Sequence, residues 1–267
     1  MAQTNRDQVV TWLAAIFQRR YEPNFAWKSC VAAHLALPGL RGFWPMSGFN
    51  TTAGATDMSG FGFTMTAGGN PEYAWDDLIP YVYLDGNDHL HVLDTGAGGP
   101  FDVTGTETYV RAIQQGLTFG GWFYRVGIAG TNALMAKWLT VGDHRSYRLL
   151  GLAGGTIQAG FSSDGTAGGA TYQASTNAIA AGEWFHAVAR FDPGAENAVF
   201  LNGVESSAAT ANAQVADKDA QLDIGAQNDG TTDYLYGFAS MCWVCCERHS
   251  DSIIKALFEQ TRAMYRV

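Results

Sequence analysis

The chain has 267 residues, of which 32 are glycine, 15% are charged and 13% are aromatic, and its formal net charge is −9. That length suits one large domain with an appendage, and it buries a core without staples. The acidic balance, with no Lys/Arg cluster beyond Arg19-Arg20, excludes nucleic acid binding through phosphate neutralisation, and no apolar stretch is long enough to cross a membrane.

Residues 4–20 predict an amphipathic helix. Thr4 caps it, Asp7 suits its first turn, and Val9, Trp12, Leu13, Ile16 and Phe17 recur at helical spacing. The same stretch is a poor signal peptide, because Asp7 sits in the would-be n-region and the cationic pair follows the apolar run; folding in a cytoplasm is expected. Tyr21-Glu22-Pro23 ends the helix, and a second short helix is expected from Phe25 to Leu37, before Pro38-Gly39. The Val9, Trp12, Leu13, Ile16, Phe17 face must be buried, either on the rest of this chain or on a neighbouring subunit. Residues 1–39 are therefore expected to form a helical anchor or extension, and residues 40–267 the main domain.

From Leu40 onward the texture changes to short strands and glycine-rich turns. Strands are expected at Gly42–Met46, Tyr81–Leu84, Leu117–Arg125, Leu134–Trp138, Tyr147–Leu152, Thr156–Phe161, Gln221–Ile224 and Tyr234–Cys246. The stretch Glu183–Val204 is the most informative: Trp184 to Phe191 is apolar on both faces, Asp192-Pro193-Gly194 breaks it, and Asn197 to Asn202 returns. Asn202-Gly203 supplies the positive-φ pair of a tight hairpin turn. Such spacing predicts an all-β sandwich or jellyroll, not alternating βα units. A final helix is expected over Ser250–Tyr265, with Ser250 as its N-cap and Ile253, Ile254, Leu257, Phe258 and Met264 as its apolar stripe.

Of the cysteines Cys30, Cys242, Cys245 and Cys246, three crowd into five positions, which is a poor disulfide framework and predicts buried free thiols. Together with His249 they superficially resemble a zinc site. On an extended strand, however, residues three apart face opposite ways, so Cys242 and Cys245 diverge.

In order and spacing the chain resembles the laminin-G-like jellyroll domains of the concanavalin A-like lectin/glucanase superfamily. Leu40–Met46 resembles the opening strand, Asp57-Met58-Ser59-Gly60 the Asp-x-Ser-Gly turn, and Leu84–Asp88 the close of the first hairpin. Leu117–Tyr124 with Trp122, Leu134–Lys137, the Trp184-x-His186 hairpin, Leu222–Gly225 and Tyr236–Glu247 resemble later strands in turn. The resemblance implies an antiparallel two-sheet jellyroll sandwich, preceded by this chain's own helical extension and followed by a C-terminal helix. Ala239 and Ser240 stand where the family often places acidic residues, which puts a calcium site on that strand in doubt.

Glycosidases of that superfamily use paired carboxylates in a Glu-x-Asp-x-x-Glu signature, which this sequence lacks. His186 reads as a hydrogen-bonded core residue, and His89 and His91 as an alternating pair on a strand. Asp57, Asp85, Asp88, Asp223, Asp229 and Asp233, near turns, are the candidate ligands of a calcium ion, Asp57, Asp85 and Asp88 first among them, although turn aspartates more often cap. Exposed tyrosines at 172, 234 and 236 are the candidate glycan contacts: Tyr172, Tyr234 and Tyr236. No catalytic constellation is expected, and no cofactor other than calcium. Two functions remain open. One is a structural protein of a virion, such as a phage capsid-decoration or tail-associated component, made in the host cytoplasm and partnered by other subunits. The other is a carbohydrate-binding module, calcium-assisted or not.

Overall fold

The computed structural model describes residues 26–47, 54–76, 79–94, 101 and 116–267. The expected helix over 4–20, with Val9, Trp12, Leu13, Ile16 and Phe17, lies outside the described residues. Residues 26–35 form a helix, α1. The strands that follow are β1 (Leu40–Trp44), β2 (Thr66–Gly68), β3 (Glu72–Asp76), β4 (Ile79–Asp85), β5 (His89–Val92), β6 (Leu117–Arg125), β7 (Asn132–Leu139) and β8 (His144–Gly151). Beyond them come β9 (Thr156–Ser162), β10 (Ala170–Ala178), β11 (Trp184–Asp192), β12 (Glu196–Leu201), β13 (Val204–Ala209), β14 (Leu222–Ile224) and β15 (Tyr236–Cys245). Helix α2, Asp251–Tyr265, closes the chain.

The strands form two antiparallel sheets. Sheet A runs β13-β12-β11-β6-β15-β4-β3, with β1 also on β15, and sheet B runs β10-β9-β8-β7-β14-β5-β2. The jellyroll expected from the residue pattern is the architecture found. Between the sheets lies the main core, including Phe119, Phe123, Leu149, Phe161, Phe185 and Leu222. A second core lies on the other side of sheet A, where Trp122, Val188, Phe200 and Trp243 meet Leu257 and Phe258 of α2 and Cys30 and Val31 of α1. Sheet A is thus sandwiched, which explains why Trp184–Phe191 is apolar on both faces. Phe185, Ala187 and Ala189 face sheet B, whereas His186 and Val188 lie under the helices.

Local chemistry fixes the joints. Asn202 and Gly203, at φ of 50° and 75°, turn β12 into β13. Ser250 accepts from the Ile253 amide at 3.4 Å to start α2. Met241, at φ 47°, marks a bulge in β15: before it β15 pairs with β4, and after it with β1. The bulge was not visible in the sequence. It places Ser240 and Met241 consecutively on the helix side, where Ser240 Oγ lies 2.7 Å from the Tyr265 hydroxyl.

All four cysteines are free and buried. Cys242 joins the core between the sheets and Cys245 the core under the helices, so they diverge as the strand period requires.

Candidate functional site

Sheet B has a different outward side. One row of residues crosses all seven of its strands in register: Tyr172 opposite Gly160, Gly160 opposite Arg148, then Ala136, Asp223, His91 and Thr66. Their strand neighbours Ile157, Ala159, Leu149, Leu222 and Leu90 point inward to the core. The alternation therefore turns the polar set outward.

The loop 225–235 crosses the Asp223 end of this row. The Gly230 amide donates to Asp223 Oδ2 at 3.0 Å, and the Gln221 amide group donates to Oδ1 at 2.7 Å. Burial pushes the Asp223 carboxyl well above the ordinary range, against the pull of those two hydrogen bonds. The His89 and His91 rings stand 5.2 Å apart beside it. Burial lowers both imidazoles; each also depresses or feels a charged neighbour, His91 for His89 and Asp229 for His91, the latter opposing the shift. Tyr234 packs at 6.3 Å from His89, and its hydroxyl donates to the Gly230 carbonyl, which ties down the loop.

Toward the other end of the row the same loop reaches Arg148 through Gln227. There Tyr172 is 45% exposed. The Arg148 guanidinium lies 4.4 Å from the Trp138 ring centroid and 5.2 Å from that of Tyr172. It donates one hydrogen bond, at 3.2 Å, to Gln227 Oε1, while the Gln227 amide nitrogen donates to Asp233. Gly160 makes the arrangement flat: a Cβ there would stand 2.9 Å from the Tyr172 ring and 3.2 Å from Arg148 Cγ. A flat aromatic face beside a guanidinium and amide groups suits a sugar, which offers C–H faces for stacking and hydroxyls for hydrogen bonds.

Of the expected glycan contacts, the structure brings Tyr172 and Tyr234 to the outward side of sheet B, at opposite ends. Tyr236 is elsewhere. It sits on sheet A, 6.3 Å from Tyr83, because β15 begins at this residue whereas Tyr234 still belongs to the loop over sheet B. The three leading calcium candidates accept backbone amides. Asp57 accepts from the amides of Phe43, Ser59 and Phe63 at 3.0, 2.9 and 2.9 Å. Asp88 accepts from Asn70 at 2.8 Å, and Asp85 from Asn87 at 3.1 Å. Among the described residues, no group of three or more His, Cys, Asp or Glu is placed to hold a metal ion.

His186 is buried, as expected, but differs in one respect: neither ring nitrogen has a hydrogen-bond partner among the described residues. It lies 5.2 Å from Trp122, and burial, then the nearby His34, depresses its pKa to about 3. Arg148, Trp138 and Gln227 escaped the sequence reading. They come from β8, β7 and a loop, and no local motif links them.

A sandwich of two antiparallel sheets with a ligand-sized polar face defines a lectin-like jellyroll. Residues 96–240 match the model of the concanavalin A-like lectin/glucanases superfamily, and the chain belongs to that superfamily. No curated protein matches the sequence. Among solved structures, the binding domain of botulinum neurotoxin DC in complex with rat synaptotagmin II is similar at a TM-score of 0.62 and 10% identity, over 84% of this chain and 52% of that one. The same domain in complex with SialylT is similar at 0.61 and 9% identity, over 84% and 52%. A structure described as showing that cell entry of botulinum neurotoxin type C depends on two ganglioside molecules is similar at 0.62 and 10%, over 84% and 51%. The chain spans about half the length of these chains, and at such identity the likeness is one of fold.

Proposed function

We propose that the chain is a non-catalytic, lectin-like structural protein of a larger particle, a virion component such as a phage capsid-decoration or tail-associated protein, whose outward sheet B face contacts surface glycans. The observation that carries the glycan part is the Tyr172–Gly160–Arg148 end of the seven-strand row, flat, polar and aromatic, outside the helical layer. The solved neighbours described with SialylT and with gangliosides support a glycan as the class of ligand. The particle part rests on residue chemistry. The thiols are all free, so the fold needs no oxidising compartment. The apolar face of Val9, Trp12, Leu13, Ile16 and Phe17 is assigned to partner subunits, in a homo- or hetero-oligomer. In this reading the protein is made in the host cytoplasm and exposed outside after release.

Two experiments test it. A glycan array of the purified full chain is expected to show binding, and an empty array defeats the glycan part. Deletion of residues 1–25 is expected to leave a folded protein that no longer enters particles. The cut stops there because Cys30, Val31 and Leu37 belong to the core under the helices. A truncated protein that still assembles defeats the particle part. Polysaccharide hydrolysis by the pure protein would overturn the non-catalytic assignment.

A further inference from the structure

Three arginines are held against the sandwich, and their charges are answered differently. Arg190 meets Glu196, Glu205 and Asp251. Arg125 uses Nε, Nη1 and Nη2 on Asn132 and on the carbonyls of Leu152 and Gly130. Arg148 has one hydrogen bond, to Gln227, and no ion pair among the described residues; its Nε is buried without a partner. Its charge rests on the faces of Trp138 and Tyr172. Asp233 does not pair with it, but accepts the Gln227 amide and so turns the Gln227 oxygen toward the guanidinium. Burial disfavours the Arg148 cation, and Tyr172 and Asp233 oppose that only in part. The group is a fixed cation, planar, held flat on the sheet and short of a counter-charge.

We propose that Arg148 is the specificity-determining residue of this face, and that it selects a saccharide carrying a carboxylate or sulfate. The inference rests on the glycan reading above and names the class of sugar. A guanidinium matches a planar carboxylate or a sulfate edge through two parallel N–H donors, which a lysine cannot do. Nε is buried, so the Nη donors not spent on Gln227 are the ones left for such a contact. Tyr172, exposed beside it, supplies the stacking surface for the ring that bears the acid. Gln227 holds the plane of the guanidinium, and Gly160 keeps the floor low enough for a ring to approach. An acidic peptide shares the charge but makes no use of a flat tyrosine above glycine, so a saccharide is the occupant the face fits.

The test is a titration of the full chain with pairs of oligosaccharides that share a backbone and differ only in the acidic group: sialylated, uronate-bearing and sulfated against neutral. About tenfold or greater preference for at least one acidic member is expected, the worth of one charge-assisted contact. Arg148→Gln is expected to cost the acidic member more than the neutral one, so that the pair levels. Gln227→Glu is the second variant: it places a carboxylate on Arg148 and removes the preference by internal competition, with the arginine and its packing retained. Which acidic member wins separates carboxylate from sulfate. Equal binding of acidic and neutral sugars by the natural sequence overturns the inference and leaves the glycan reading standing. So does a preference that survives both substitutions, or an acidic peptide that binds as tightly. Binding to no sugar at all overturns both.

Discussion

The outward side of sheet A carries Trp122, Val188, Phe200 and Trp243 beneath two helices, whereas the outward side of sheet B carries Tyr172, Arg148, Asp223 and His91, with one loop over its far end. Both sheets have the same pleat and pack the same core between them. What differs is the second residue of each alternating pair. On β11 it is buried beneath the helices, as at His186, Val188 and Arg190, so the strand has no exposed face to alternate with. On β8 and β9 it includes Arg148, Gln158 and Gly160, beside the inward Leu149 and Ala159. In sheet A the outward side contributes to stability; in sheet B its Tyr172 end is exposed.

The largest break in that contrast is expected from Trp122→Ala. Trp122 is fully buried, lies 4.0 Å from the Tyr265 ring in a parallel stack, and donates to Thr261 Oγ1 at 2.9 Å. Truncation leaves a cavity between β6 and α2, and about 3–5 kcal/mol of stability is expected to be lost, read from urea unfolding. Tyr172→Ala, its counterpart on sheet B, is expected to cost only about 0.5–1 kcal/mol, because the residue is 45% exposed and its ring chiefly meets the Arg148 guanidinium.

Acid separates the two sides next. His34 and His186 are wholly buried under the helices, and burial depresses them to about 4 and about 3. Both are neutral in the fold, while in the unfolded chain they take up protons below about 6.5. Between there and about pH 4 the unfolded state binds more protons, so stability falls as the pH falls. The expected slope is about 1.4 kcal/mol per pH unit for each histidine, and above pH 6.5 neither contributes. His186→Phe, which replaces two unpartnered ring nitrogens with carbon, is expected to lower the slope by up to about 1.4 kcal/mol per pH unit in unfolding curves taken from pH 7 to pH 5, with His34 and the other depressed histidines supplying the rest. An unchanged slope would place the acid sensitivity elsewhere.

Much of sheet A was legible because its signals are local. The apolar run of β11, the Asn202-Gly203 turn and the Ser250 cap each lie within a few residues of one another. Strand β10 was not legible: Ala170–Ala178 is mostly polar, and it is held by contacts from afar, such as the Thr176 amide donating to Ser206 Oγ at 3.0 Å. Of the residues at the Tyr172 end of the row, the sequence singled out Tyr172 alone, as an aromatic. Arg148 gained its meaning from register, since Gly160 and Ala136 flank it only after three strands pair. The turn aspartates are ambiguous for a related reason. Carboxylates that accept backbone amides and carboxylates that ligate calcium occupy the same turns in a sequence. With the oxygens of Asp57 and Asp88 already engaged, a chelator is expected to leave the melting temperature unchanged; a drop of several degrees would restore the ion.

The finest test applies one substitution to both sheets. A Cβ added at Gly120, on β6, would meet Val188 Cα at 2.8 Å and the Ala187 carbonyl, both backbone of the adjacent strand. Backbone in a filled core has nowhere to go, and Gly120→Ala is expected to cost about 1–3 kcal/mol. At Gly160 the obstacles are the Tyr172 ring and the stem of Arg148, which can swing toward solvent. Alanine also returns about 0.5–1 kcal/mol of strand entropy there, against a similar loss of ring and guanidinium packing. The two nearly cancel, so Gly160→Ala is expected to unfold at the same urea concentration as the natural sequence. It should nevertheless weaken acidic sugars, because the flat floor is gone. A Gly160→Ala protein as unstable as Gly120→Ala would mean that the outward side of sheet B is packed as rigidly as the helical side, and the division between a stabilising face and a recognising face would fail.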